Sequence, residues 1–95
     1  MIVINTDKDI VKSILMRNIE SFEIIINQYE IGIQRYIYNM VRNPETSEDL
    51  TQKVFISAYN KLYTFNSEYK FSTWLFQIAK NKAIAYLKSY AIRKN

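Results

Sequence analysis

The stretch FEIIINQYEIGIQRYIYNM, residues 22–40, carries the clearest periodicity in the chain. Phe22, Ile25, Ile26, Tyr29, Ile33, Tyr36, Ile37 and Met40 follow steps of three and four, so they share one side of a 3.6-residue helix. Glu23, Asn27, Gln28, Glu30, Gln34 and Arg35 break the apolar run. A bilayer-spanning helix needs about 20 predominantly apolar residues, so this one is amphipathic and packs on other elements. Gly32 sits mid-pattern, where glycine costs about 1 kcal/mol against alanine. It marks close approach by a neighbouring helix.

Outward from this element, Asn43-Pro44 stops one helix and starts the next. Asn serves as N-cap and Pro as first helical residue, and Glu45, Glu48 and Asp49 complement the positive end of the helix dipole. Leu50, Val54, Ala58 and Leu62 then recur at four-residue steps, with Phe55 and Tyr59 widening the apolar face. Tyr63 to Lys70 loses periodicity and reads as a loop. Ser72 or Thr73 begins a last helix whose packing stripe is Phe71, Leu75, Ile78, Ala79, Ala83 and Tyr86. Trp74, Gln77, Asn81, Ile84 and Lys88 fall on the opposite side. Upstream, Thr6 caps a short helix that buries Ile10, Val11 and Ile14. The expectation is an all-α, compact four-helix domain in residues 1–95, with helices over about 7–17, 19–42, 44–62 and 72–92.

Composition narrows the chemistry. The chain has 95 residues with one Gly, one Pro, no Cys and no His. Thiolate nucleophiles, imidazole bases, cysteine zinc sites and phosphate-cradling glycine loops are therefore excluded. Glu45, Glu48 and Asp49 form an acidic cluster that the helix dipole already explains, so no metal or other cofactor is expected. Ser72-Thr73 without a base is a cap, not a nucleophile. The reading is non-enzymatic. Met1 to Asn5 is too short for a secretory h-region, and Asp7, Lys8 and Asp9 follow at once. A cytoplasmic protein with no membrane partner is expected.

Charge and aromatics point to a ligand. Residues 1–48 hold five Lys and Arg against seven Asp and Glu; residues 49–95 hold eight against two. From Lys70 onward there are six basic residues and no acid. Tyr63, Phe65, Tyr69, Phe71 and Trp74 crowd the segment just before that basic helix. Rings beside a cationic track suit single-stranded nucleic acid, since every base offers a π-face and every nucleotide a charge. The competing reading is that Phe65, Phe71 and Trp74 pin the loop to the core.

The segments SEDLTQKVFISAY, residues 47–59, and FNSEYKFSTWLFQIAKNKA, residues 65–83, resemble domain 2 of bacterial RNA polymerase sigma factors. The compact extracytoplasmic-function (ECF) type is the best match, and residues 7–29 resemble that family's opening pattern. The resemblance implies a sigma region 2-like helical bundle. It implies that Asp49, Gln52, Lys53 and Phe55 lie on the helix that docks on the clamp helices of the largest subunit of the RNA polymerase core. Lys53 stands where the family usually has Glu, so either this position turns away or the partner differs.

The resemblance further implies that the loop and the last helix hold single-stranded promoter DNA of the minus-ten element, with one base flipped into a pocket. The matching positions are Asn66, Ser67, Glu68, Tyr69, Lys70 and Phe71 in the loop, then Trp74, Gln77, Lys80, Asn81 and Lys88. Ser67 replaces a more usual Gly. Asn81 matches the polar residue that reads the extruded base, and its amide can donate and accept at once. Lys80, Lys82 and Lys88 would take phosphates, although Lys82 lies near the packing stripe and can snorkel past it. Trp74 reads as a wedge at the DNA-facing edge, and Ala85 replaces an acid common in the family. An anti-sigma factor masking the polymerase-binding face is a further implied partner. In the family, a linker and a helix-turn-helix domain would follow Asn95. The favoured reading is a truncated chain, the alternative a domain-2-only subunit paired with a separate DNA-binding protein. The alternative function is a helical protein-interaction module, an adaptor or sequestering factor, without DNA binding.

Overall fold

Periodic burial organises the described part of the molecule, residues 19–94 of a computed structural model. Helix α1 runs Ile19–Val41, α2 Pro44–Lys61 and α3 Phe71–Lys94, with a single 3-10 turn at Leu62–Thr64 between α2 and α3. Every described residue in regular structure is helical. The helix predicted over 7–17 and its Thr6 cap lie outside the described residues.

All eight positions of the α1 stripe are buried or half-buried, and Ile25, Ile33 and Ile37 have no exposed surface. On α2 and into the 3-10 turn after it, the four-residue series Leu50, Val54, Ala58 and Leu62 is buried throughout. On α3, Phe71, Leu75, Ala79 and Ala83 do the same, while Ile78 and Tyr86 flank them half-buried. The two alanines leave no bulk between the helices, and each helix packs on both others. Fully burying one such aliphatic side chain stabilises by about 1.5–3 kcal/mol.

The helix ends follow local chemistry. Asn43 is extended (φ −137°, ψ 119°), and its Oδ1 accepts from the Thr46 N–H at 2.9 Å, with Pro44 as first helical residue. Asn43→Ala should therefore cost about 1 kcal/mol, read as a lower urea midpoint with an unchanged denaturant slope. Arg42, at φ 57°, lets α1 end by a left-handed residue, and its N–H bonds the Tyr38 carbonyl at 2.8 Å. The two buried hydroxyls of α2 are satisfied inside the helix. Ser47 donates to the Pro44 carbonyl at 2.8 Å and Thr51 to the Ser47 carbonyl at 2.6 Å.

Three expectations shift. Helix α3 begins at Phe71 rather than Ser72 or Thr73, with the Phe71 ring buried in its first turn. The Lys70 carbonyl accepts from the Trp74 N–H there at 3.3 Å. The helix also continues to Lys94, with residues 87–93 classed as exposed. At Gly32, the neighbour is the Phe76 ring and not a helix backbone. A Cβ there would lie 3.6 Å from Phe76 Cζ, an ordinary contact, so space does not demand glycine.

Candidate nucleic-acid and polymerase interfaces

The segment between α2 and α3 is a shaped loop. The Phe65 N–H bonds the Leu62 carbonyl at 3.0 Å, and the Tyr69 N–H bonds the Asn66 carbonyl at 3.0 Å. Asn66 Oδ1 also accepts from the Glu68 N–H at 3.0 Å, so the side chain mimics a backbone turn. Ser67, where glycine is more usual in the family, needs none. Among the described residues only Arg42 has a positive φ.

Three rings anchor this loop. Phe65, Phe71 and Trp74 lie mutually 5.4–5.5 Å apart between centroids, and Phe71 also meets Tyr29 at 6.0 Å. Phe71 is 3% exposed, and Phe65 and Trp74 are half-buried. Phe71 is thus a correction to the expected DNA contacts: its face is spent on the other rings, so it positions the loop instead. All three rings pack on one another at the foot of the loop. The stacking surface left open belongs to Tyr69, 70% exposed, and Tyr63, 78% exposed.

The remaining expected contacts are accessible. Asn66, Ser67, Glu68, Tyr69, Lys70, Gln77, Lys80, Asn81 and Lys88 are exposed, and Lys82 is half-buried beside the packing stripe. Gln77 Nε2–H donates to Asn81 Oδ1 at 3.3 Å, a pairing of side chains one turn apart. Glu68 is the one acid after Asp49. It cannot take a phosphate, but a carboxylate can accept from a cytosine amine.

The α2 surface is a second, separate site. A groove of about 650 Å³ runs between α1 and α2, floored by Phe22, Ile26 and Phe55 and rimmed by Glu30, Glu48, Gln52, Ile56 and Tyr59. Phe55, expected to touch the polymerase, is 5% exposed and meets the Phe22 ring edge-on at 6.4 Å. It forms part of the groove floor. Asp49, Gln52 and Lys53 are exposed, and Lys53 Nζ lies 3.1 Å from Asp49 Oδ2. Lys53 neutralises its neighbour on the exposed side of α2, in a pair worth about 0.3–0.5 kcal/mol at such exposure. Sequence reasoning missed Ile56, 61% exposed beside Gln52. The signal was its four-residue step from Gln52, which puts both on one line.

A family model described as sigma-70 region 2 matches residues 25–92. The chain belongs to the sigma-70 region 2 family. This region 2 domain is 35% identical over 74 residues to the ECF RNA polymerase sigma factor SigW of Bacillus subtilis, a match covering 78% of this chain and 40% of that protein. It is 29% identical over 87 residues to the RNA polymerase sigma-H factor of Pseudomonas aeruginosa, covering 92% of this chain and 45% of that protein. The chain spans less than half the length of the curated relatives it matches. An engineered region 2 of sigmaE, solved by NMR in complex with GTAAAA, superposes with a TM-score of 0.87 at 30% identity, covering 98% of this chain and 97% of that one. The ECF-type region 2 bundle expected from residues 47–59 and 65–83 is what the fold and these relatives show. Among the described residues no helix is long and apolar enough to cross a membrane.

Proposed function

We propose that this region 2 domain binds the RNA polymerase core through α2 and captures unpaired bases of a promoter minus-ten element with its loop and α3. The observation that carries the DNA reading is the exposed line of Gln77, Asn81 and Lys88 on a helix without acids, next to a loop whose Tyr69 ring stands open. The solved neighbour's complex with GTAAAA supports it. Flipping a base costs a few kcal/mol, and contacts made only to the open strand offset that cost. Melting is then driven by differential binding, with no chemistry on the domain.

On α2, Gln52 and Ile56 form the contact line for the clamp helices of the largest subunit, with Tyr59 beside them and Phe55 beneath. An anti-sigma protein would compete for this same apolar groove. The site of action is the cytoplasm, where the polymerase works.

Asn81 is the position that tests the DNA arm. Titrating the 95-residue chain with labelled single-stranded minus-ten oligonucleotides, Asn81→Ala should weaken binding roughly ten-fold, as a lost bidentate base contact does. Its circular dichroism should not change, since the side chain is exposed. Equal affinity in the two proteins would reject the base-reading role. Capture on immobilised clamp helices without any binding of single strands would favour the protein-interaction module instead.

A further inference from the structure

Helix α1 carries apolar residues on two sides. Phe22, Ile33 and Met40 face the core, while Ile24, Ile31 and Tyr38 are 43%, 66% and 38% exposed. By helical geometry Ile31 lies opposite Phe22 and Met40. The three exposed residues recur at seven-residue steps, and such a step drifts by only about 20° around an α-helix. They therefore form one nearly straight line along the outer side of α1.

This line has a polarity. Glu20 stands before it and Arg42 after it, both exposed. Arg42 holds φ 57°, a conformation that glycine adopts at lower cost, so a base occupies the place that a glycine would fill more easily. Asn27, Gln28, Gln34 and Arg35 flank the line and bring no acid. Beside Ile31 and Tyr38, with Arg35 and Pro44, lies a recess of about 470 Å³ that a side chain from a facing helix can enter.

The pattern is complementary to itself in one orientation. With a second α1 laid antiparallel about a two-fold axis at Ile31, residues equidistant from the axis meet. Ile24 faces the partner's Tyr38 at the recess, and Gln28 faces the partner's Gln34. Asn27 faces the partner's Arg35, and Glu20 faces the partner's Arg42. No like charges are opposed. A parallel pairing would set Glu20 against Glu20 and Arg42 against Arg42. Nucleic acid needs a cationic track, and this line starts on a carboxylate. A bilayer surface needs a broad apolar face, and this one is a single residue wide between amides.

We propose that the outer side of α1 is the contact of a weak, two-fold symmetric dimer of this chain, with Ile31 on the axis and Glu20 paired to Arg42 at both ends. One pair of 23-residue helices, each about 35 Å long, buries less than the roughly 800 Å² per partner of a stable interface. The dissociation constant is accordingly on the order of 100 µM. Neither the loop nor α3 takes part, so the dimer leaves single-strand binding unchanged.

Sedimentation equilibrium of the 95-residue chain, from about 10 µM to about 1 mM, should show the average mass rising toward twice the monomer value. Ile31→Glu sets two carboxylates on the axis and should weaken the dimer by about ten-fold or more, with unchanged circular dichroism. Glu20→Arg should weaken it several-fold, and adding Arg42→Glu should restore it. The chain has no cysteine of its own, so orientation is read by cross-linking, which also serves if Ile31→Glu fails to fold. A mixture of Ile24→Cys and Tyr38→Cys chains should form a disulfide, and neither variant should do so with itself. A chain that stays monomeric to about 1 mM leaves this face to a different protein and overturns the proposal. A dimer indifferent to a folded Ile31→Glu, a double variant no tighter than Glu20→Arg, or Ile24→Cys linking to itself overturns it as well.

Discussion

Phe71→Ala should destabilise the domain by about 3–5 kcal/mol, the cost of deleting a buried aromatic ring. Small domains are stable by only about 5–15 kcal/mol, so this change removes much of the margin. The ring is 3% exposed and touches Tyr29 on α1, Phe65 in the loop and Trp74 on α3. Its loss opens a void where three elements meet, and Phe65 and Trp74 lose the partner that orders the loop. Urea unfolding followed by circular dichroism measures the effect. A shift of less than about 1 kcal/mol would show that the loop is not held from within. Tyr69→Ala is the counterpart. At 70% exposure it should leave stability within about 0.5 kcal/mol, yet weaken single-strand binding, because its open ring is a stacking surface. The pair separates the aromatics that build the site from those that serve it.

The second large effect is on affinity. Lys70, Lys80 and Lys88 are exposed along one acid-free stretch. If these three neutralise three phosphates, log K for a single strand falls by about 0.7 per phosphate per decade of salt. Raising salt from about 50 to about 200 mM should then weaken binding roughly twenty-fold. Substituting all three with glutamine should flatten the dependence and lower affinity at low salt, with no loss of helix content. Affinity indifferent to salt in the unsubstituted chain would mean the basic face is a solvated surface. Lys82, half-buried against the packing stripe, makes a useful control. Its substitution should change the slope less than any of the other three.

Much of this molecule was legible before its coordinates. The stripe from Phe22 to Met40 and the four-residue series on α2 and α3 specified which sides face inward, because helical periodicity converts spacing directly into direction. Asn43-Pro44 located its cap, since the missing proline N–H and the Asn side chain fit only a helix start. The family was readable from residues 47–59 and 65–83. Less legible was the division of labour inside each motif. Phe55 and Phe71 sit in the recognisable segments but are buried, whereas Ile56 and Tyr69 are open. Ring composition alone does not say which face a partner can reach.

The sequence by itself determined the helices, their buried faces, the charge asymmetry and the family, because each depends on residues near one another in the chain. Only the tertiary structure decided which aromatics are buried and which are open, that Lys53 pairs with Asp49, and that the Tyr36 and Phe76 rings meet edge to face. Those outcomes depend on how α1, α2 and α3 approach in space. Side chains some 40 residues apart become neighbours only when the packed core brings their helices together.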